Sequence, residues 1–304
     1  MNSQSNAMPE SFDSQRIAPA VLSETRPFYW SVRRELWEYR SIYVAPLAAA
    51  GVYLLGFMIS LIRLPQKMRA LSALDAMHQH EAIVMPYVFA AGLIMVTTLI
   101  VAVFYCLDAL HGERRDRSIL FWKSLPVSDL ATVLSKASVP IVVVQLVAFA
   151  VTVATQWIML LFSSVVLLGS GLNVRTLWTQ VSFFQMSLML LGHLLILHGL
   201  WYAPVYAWLL LVSALARRAA FLWAVLPWLV IFAVEKVAFN TSHFAAMLGR
   251  YFASGGQAAG SQGMSPMIGV DLSSVSSVEL WIGLALAAIF LAGAVRLRRY
   301  QGPI

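Results

Sequence analysis

Apolar residues run in long unbroken blocks along this chain. Four stretches contain no Asp, Glu, Lys or Arg: Ile42–Ile62, Ile83–Leu107, Val139–Leu168 and Phe183–Ser213. A helix needs roughly 20 apolar residues to cross the hydrocarbon core of a bilayer, so each stretch predicts a spanning helix. The third and fourth, about 30 residues each, are too long for one upright crossing and too short for two, which predicts tilt or extension beyond the bilayer. Pro204 predicts a kink in the fourth. A fifth run, Phe221–Phe239, is interrupted by Glu235 and Lys236. Either charge would cost about 3 kcal/mol or more at the bilayer centre, so the pair marks the interfacial end of the span. The sixth run, Leu280–Val295, stops at Arg296, Arg298 and Arg299. The fold class is therefore an all-α polytopic membrane protein with six spans, in one transmembrane domain over residues 28–304.

Composition agrees. Sixty per cent of the 304 residues are apolar, 12% are charged, and mean hydropathy is +0.76. Soluble domains carry roughly 25% charged residues, and a core of this size could not hide so much apolar surface. The net charge of +7 comes from short basic clusters at the ends of apolar runs. That placement suits membrane orientation and excludes a nucleic-acid-binding stripe. Numbering the segments outside the spans from the N-terminus, 15 of the 21 Lys and Arg residues fall in odd segments. The positive-inside rule then puts both termini in the cytoplasm of a cell with the chain in its inner membrane. Arg63, Lys67 and Arg69 in the first external loop run against the trend.

The single cysteine, Cys106, excludes an internal disulfide and a thiolate metal cluster; it reads as a small buried hydrophobe. The first apolar stretch is too long for a signal peptide. Residues 1–27 read as a disordered N-terminus, with Met1–Ala7 (MNSQSNA), ahead of a second methionine at Met8, as residues left by an expression vector.

Ahead of the first span, Phe28–Arg40 places Tyr29, Val32, Leu36 and Tyr39 at helical spacing, flanked by Trp30 and Trp37. Arg33, Arg34, Glu35 and Glu38 fall largely elsewhere. The segment reads either as an amphipathic helix at the cytoplasmic interface, with Tyr29, Trp30, Arg33, Arg34, Leu36 and Trp37 as its interfacial residues, or as an extension of the first span. In the loop 63–82, His78 and His80 lie near Asp75 and Glu81, but histidines two apart on a polar loop read as solvated and no metal site is expected. His193 and His198 sit inside the fourth run. Five residues apart on an α-helix they face different ways, so they line a substrate path or bond a neighbouring helix. His243–Phe252 predicts a short external or re-entrant helix, followed by a Gly-, Ser- and Ala-rich tether over Ala253–Pro266.

Between the second and third runs lies ERRDRSILFWKSLPVSD, residues 113–129. A charged cluster (Glu113, Arg114, Arg115, Asp116, Arg117) precedes an apolar patch (Ile119, Leu120, Phe121, Trp122), then Lys123 and the stop Leu125–Pro126. Aromatics beside charges supply what a protein-docking surface needs, anchors and register; an interfacial helix anchoring the loop to headgroups is the alternative. This stretch resembles the cytoplasmic loop of ABC-2 type exporter permeases. The resemblance implies a permease subunit that dimerises with a copy or a relative, and a coupling helix seated in a separate ATPase subunit. It implies ATP and Mg on that partner, and no cofactor on this chain. Carried over, Glu113, Arg114, Asp116 and Arg117 would pair with ATPase charges, and Ile119, Phe121 and Trp122 would make the apolar contact, flanked by Arg115 and Lys123. No phosphate-binding G-x-x-x-x-G-K-[ST] motif occurs in the chain, so nucleotide hydrolysis is assigned to the partner and no catalysis to this subunit. An ion-driven secondary transporter and a polytopic membrane enzyme are the alternatives, but no pair of carboxylates at membrane depth is present for either.

Overall fold

A computed structural model of the chain describes residues 25–71, 75–124, 127–258 and 277–300. Met1–Ala7, most of the expected N-terminal tail, Leu125–Pro126 and most of the expected tether after Ala258 lie outside the described residues. Every regular element among the described residues is helical. The expected all-α class therefore holds, with six helices long and apolar enough to span a membrane.

Helix α1 runs Thr25–Glu38 and α2 Ser41–Leu61, so helix begins inside the segment expected as a tail. A short α3 (Leu64–Leu71) turns the chain into α4, Ala76–Asp108, which at 33 residues is about 50 Å long. Three short helices follow: α5 (His111–Arg115), α6 (Ile119–Ser124) and α7 (Asp129–Ser138). The Ser128 hydroxyl accepts from Ala131 N at 3.1 Å and caps α7, with Asp129 in its first turn, where a carboxylate also suits the helix dipole. A π-helical segment, Val139–Val143, joins α7 to α8 (Val144–Gly169). The continuous helix Asp129–Gly169 spans 41 residues, about 60 Å. That is twice the hydrocarbon thickness, so its first turns project beyond the core.

The fourth apolar run is divided. After α9 (Arg175–Gln180), α10 (Phe183–His193) passes into a second π-helical segment, Leu194–Trp201. The chain breaks at Tyr202, and α11 (Ala203–Leu215) starts with Pro204 in its first turn, where the missing N–H costs nothing. The spanning helix here is Leu177–Trp201, and α11 continues it as a shorter apolar helix. Then come α12 (Ala220–Phe239), α13 (His243–Ala258) and α14 (Val278–Tyr300).

Three helices, α2, α4 and α8, pack together, and α11 joins α4 to α14. The inner face of α8 is half polar: Gln145, Thr152, Thr155, Gln156 and Ser163 are all buried. Its lipid-side residues, Leu161, Val165 and Leu168, are exposed. Polar groups turn inward because hydrocarbon offers them no partner. Helix α12 buries only Ala220 and Ala224 and leaves Phe221, Leu222, Trp223 and Leu226 uncovered.

The two π-helical segments meet at Gly199, where an added Cβ would lie 2.7 Å from the Ile141 carbonyl oxygen. Only glycine allows that approach. Gly199→Ala should therefore destabilise the fold by about 1–3 kcal/mol. Gly51→Ala on α2, where a Cβ meets nothing within 4 Å, should be neutral. Thermal unfolding in detergent checks the contrast, and equal melting points for the two variants would contradict it.

Candidate functional site

The loop after α4 returns to the bundle through its charges. Glu113, on α5, is 4% exposed and takes three cations from three other helices. Arg34 Nη2 on α1 lies 2.8 Å away, Lys136 Nζ on α7 lies 3.2 Å away, and Arg298 Nη1 on α14 bonds the other carboxylate oxygen. Glu35, 2% exposed, receives Lys136 Nζ at 2.8 Å, Arg34 Nη2 at 3.1 Å, and the Tyr105 hydroxyl of α4 at 2.9 Å. Arg298 Nε also reaches Asp129 Oδ1 at 3.1 Å. Arg34 Nε also meets the exposed Glu38 carboxylate at 3.3 Å, so three cations face three inward carboxylates and a fourth at the surface. Buried charges survive only when paired and hydrogen-bonded in this way.

Burial opposes the charge on Arg34, but Glu35 and then Glu113 outweigh it and hold the guanidinium proton more firmly than usual. Tyr39, at the α1–α2 corner, donates to Asp108 Oδ2 at 3.2 Å and stacks edge-on against Tyr105. Burial first, and the Asp108 carboxylate second, push its phenol above the ordinary range.

Backbone polar groups fasten the loop from the other side. The Ser213 hydroxyl of α11 accepts from Leu110 N (3.1 Å) and His111 N (2.9 Å) and donates to Leu107 O (2.8 Å). Arg114 caps the end of the same helix by donating to the carbonyls of Ala214 and Ala216. A cation there meets the negative end of the helix dipole.

Two expectations are corrected by this geometry. Glu113 and Arg114 were assigned to a partner's charges, yet both are buried and engaged within the chain. Ile119, assigned to an apolar docking contact, is 1% exposed and packs inward. What faces outward is the rest of the segment. Arg115, Asp116, Arg117 and Lys123 are exposed, Arg115 pairing with Asp116 at 3.0 Å. Leu120 and Phe121 stand about 60% exposed at the top of α6. Trp122 is half-buried, packs edge-on against Phe121 (5.0 Å) and covers the Arg34 guanidinium at 3.7 Å. Arg117 adopts a left-handed φ of 59°, turning the chain between α5 and α6.

The segment ahead of the first span forms helix α1. Its buried residue is Glu35, while Tyr29, Trp30 and Trp37 are exposed and Leu36 is half-buried. Arg33 lies over both indoles, at 5.1 and 4.8 Å. The side that faces the bundle is set by the Glu35 carboxylate and its countercharge, Lys136.

His193 and His198 are brought together, against expectation. Residue i bonds residue i+5 in a π-helix, so a spacing of five stacks side chains that an α-helix would separate. Their ring centroids are 5.4 Å apart, and neither Nδ1 has a hydrogen-bond partner. Among the described residues no group of three or more metal-ligating side chains occurs; His78 instead pairs with Asp75 at 2.7 Å.

A helix is present where one is expected after Asn240 and runs longer than predicted, His243–Ala258. Glu235 does not merely end α12; its carboxylate accepts from Phe244 N (2.9 Å), His243 N and the Thr241 hydroxyl, capping α13. Trp201 and Tyr251 then exchange hydrogen bonds, Nε1 to carbonyl at 3.0 Å and hydroxyl to carbonyl at 2.9 Å, pinning α13 on the second π-helical segment.

The fold defines a multi-pass all-α membrane protein. Compared with models of protein families, with curated proteins and with solved structures, the chain matches none.

Removing the central carboxylate tests the node. Glu113→Ala should cost about 3–5 kcal/mol, because it leaves cations buried without a partner. Arg298→Ala should cost less in that background than alone, giving a coupling of about 1 kcal/mol or more. Additive losses in thermal unfolding would remove the node's cooperative role.

Proposed function

We propose that this chain is the membrane-spanning subunit of an ATP-driven exporter of the ABC-2 type, with α5–α6 as the segment that receives a separate ATPase. The observation that carries the reading is the exposed Leu120–Phe121 pair, raised on a six-residue helix directly above an ion-pair node. An apolar anchor that can be desolvated by a partner, ringed by Arg115, Asp116, Arg117 and Lys123, is the usual make-up of a docking hot spot. In the resemblance the coupling segment bore both the anchor and the ion pairs to the motor. Here the two tasks divide: Phe121 and its exposed neighbours engage the ATPase, and Glu113 and Arg114 tie the segment to α1, α7, α11 and α14. A displacement of α6 then moves helices that lead into four spans, without any covalent chemistry on this chain.

The stretch faces the cytoplasm in this reading, as do both termini, and the helix α1 lies along the same surface with its exposed aromatics at headgroup depth. ATP and Mg bind the partner. The working unit is a pair of permease chains, identical or related. His193 and His198, unpartnered within the spans, supply a polar lining for a substrate path.

Phe121→Ala is the direct test, because the Phe121 side chain is exposed, whereas Trp122 covers Arg34. Affinity for the candidate ATPase should fall about tenfold or more, with loss of permease-stimulated ATP hydrolysis. Unchanged co-purification, or full transport by the chain alone in vesicles, would overturn the reading. Orientation is checked separately by Leu120→Cys. A membrane-impermeant maleimide should label it only after cells are opened, against the silent background of the fully buried Cys106. Labelling in intact cells would place α6 outside.

A further inference from the structure

Helices α2, α3 and α4 enclose an open groove of about 700 Å³. Its walls are apolar, with Val52, Phe57, Met85 and Phe89 among them, and Lys67 of α3 also lines it. Gly56 leaves the middle unfilled, since an added Cβ there would meet nothing within 4 Å.

The groove is built around Pro86. Proline has no N–H, so the carbonyl of Ala82, four residues earlier in α4, loses its helical partner. Lys67 Nζ donates to that carbonyl at 3.3 Å, which ties the ammonium to the groove mouth. The Tyr53 hydroxyl donates to Pro86 O at 2.7 Å and ties α2 to the bend. Among the described residues no carboxylate pairs with Lys67, and Arg63 lies one turn before it. Lys67 follows the end of one apolar run and Ala82 precedes the start of the next, so both sit where hydrocarbon gives way to headgroups. From Ser60 to Val52 on α2, and from Ala82 to Leu93 on α4, the lining descends about 12–16 Å. That depth is about one leaflet of a ~30 Å hydrocarbon core.

We infer that this groove holds an acyl chain of an anionic phospholipid from the surrounding bilayer, with the lipid phosphate on Lys67. An apolar channel one leaflet deep, ending at a cation with only a neutral acceptor, is complementary to that molecule in length and in charge. A zwitterionic lipid offers the same chain and a headgroup of no net charge, so the lysine discriminates between them. The inference needs only the membrane embedding and is independent of the exporter reading.

The purified chain, in detergent micelles doped with equal amounts of phosphatidylglycerol and phosphatidylcholine, can be examined by native mass spectrometry. The wild-type chain should retain phosphatidylglycerol preferentially. Lys67→Gln keeps a donor for the Ala82 carbonyl but removes the charge, and should lower that preference about fivefold; Lys67→Arg should preserve it. Gly56→Phe fills the groove and should reduce retention of both lipids, its folding verified by an unchanged melting profile. Equal retention of the two lipids by the wild type, or a preference that survives Lys67→Gln, would overturn the assignment. So would a Gly56→Phe chain that keeps its lipid but changes from dimer to monomer, which would make the groove a contact between copies.

Discussion

A carboxylate taken out of water must be compensated by charge held in place, and Glu113 meets that requirement with cations drawn from α1, α7 and α14. The rest of this end of the molecule follows from it. The segment before the first span, the loop between the second and third, and the last turns of α14 must all converge on one point. The idealised cost of moving such an ion into a low-dielectric interior is of order 20 kcal/mol, so none of these segments can drift away independently. The ionic contact thereby sets where α6 stands and which of its residues face outward.

Lipid changes the accounting elsewhere. Helix α12 and the outer faces of α2 and α8 leave large apolar side chains uncovered, which water would penalise and hydrocarbon does not. Beside the buried apolar side chains, small and polar residues set several of the closest helix–helix contacts. Gly199 lies against the Ile141 carbonyl, Gly283 leaves room for the Tyr251 hydroxyl, and Gln156 on α8 donates to the Tyr87 carbonyl of α4 at 3.2 Å. The second π-helical segment combines several of these features: it packs against the first, receives α13 through Trp201, and stacks the two histidines. Departures from α-helical geometry of this kind recur at functional positions.

The proposed docking and lining roles draw on different residues. In the proposed docking surface, Leu120, Phe121 and their charged neighbours are what the loop leaves exposed once the node has been satisfied. A surface selected by what remains after internal pairing is small, and its energy must come from one or two anchors rather than from area.

The amino-acid sequence by itself determined that the chain crosses a membrane, how many times, and where most crossings begin, because the ~30 Å hydrocarbon core imposes a length and a composition that need no partner to be recognised. The helix after Asn240 was legible from its local pattern. Tertiary structure alone decided which charges are structural. Glu35, Lys136, Asp129 and Arg298 looked like ordinary flanking residues, and Glu113 and Arg114 like free docking charges. Their partners lie 79 to 185 residues away from Glu113 in two cases, and pairing at that separation leaves no periodic trace. The histidine pair was misjudged for a related reason: whether residues five apart face each other depends on a π-helical register fixed by packing against a neighbouring helix, not by the residues themselves.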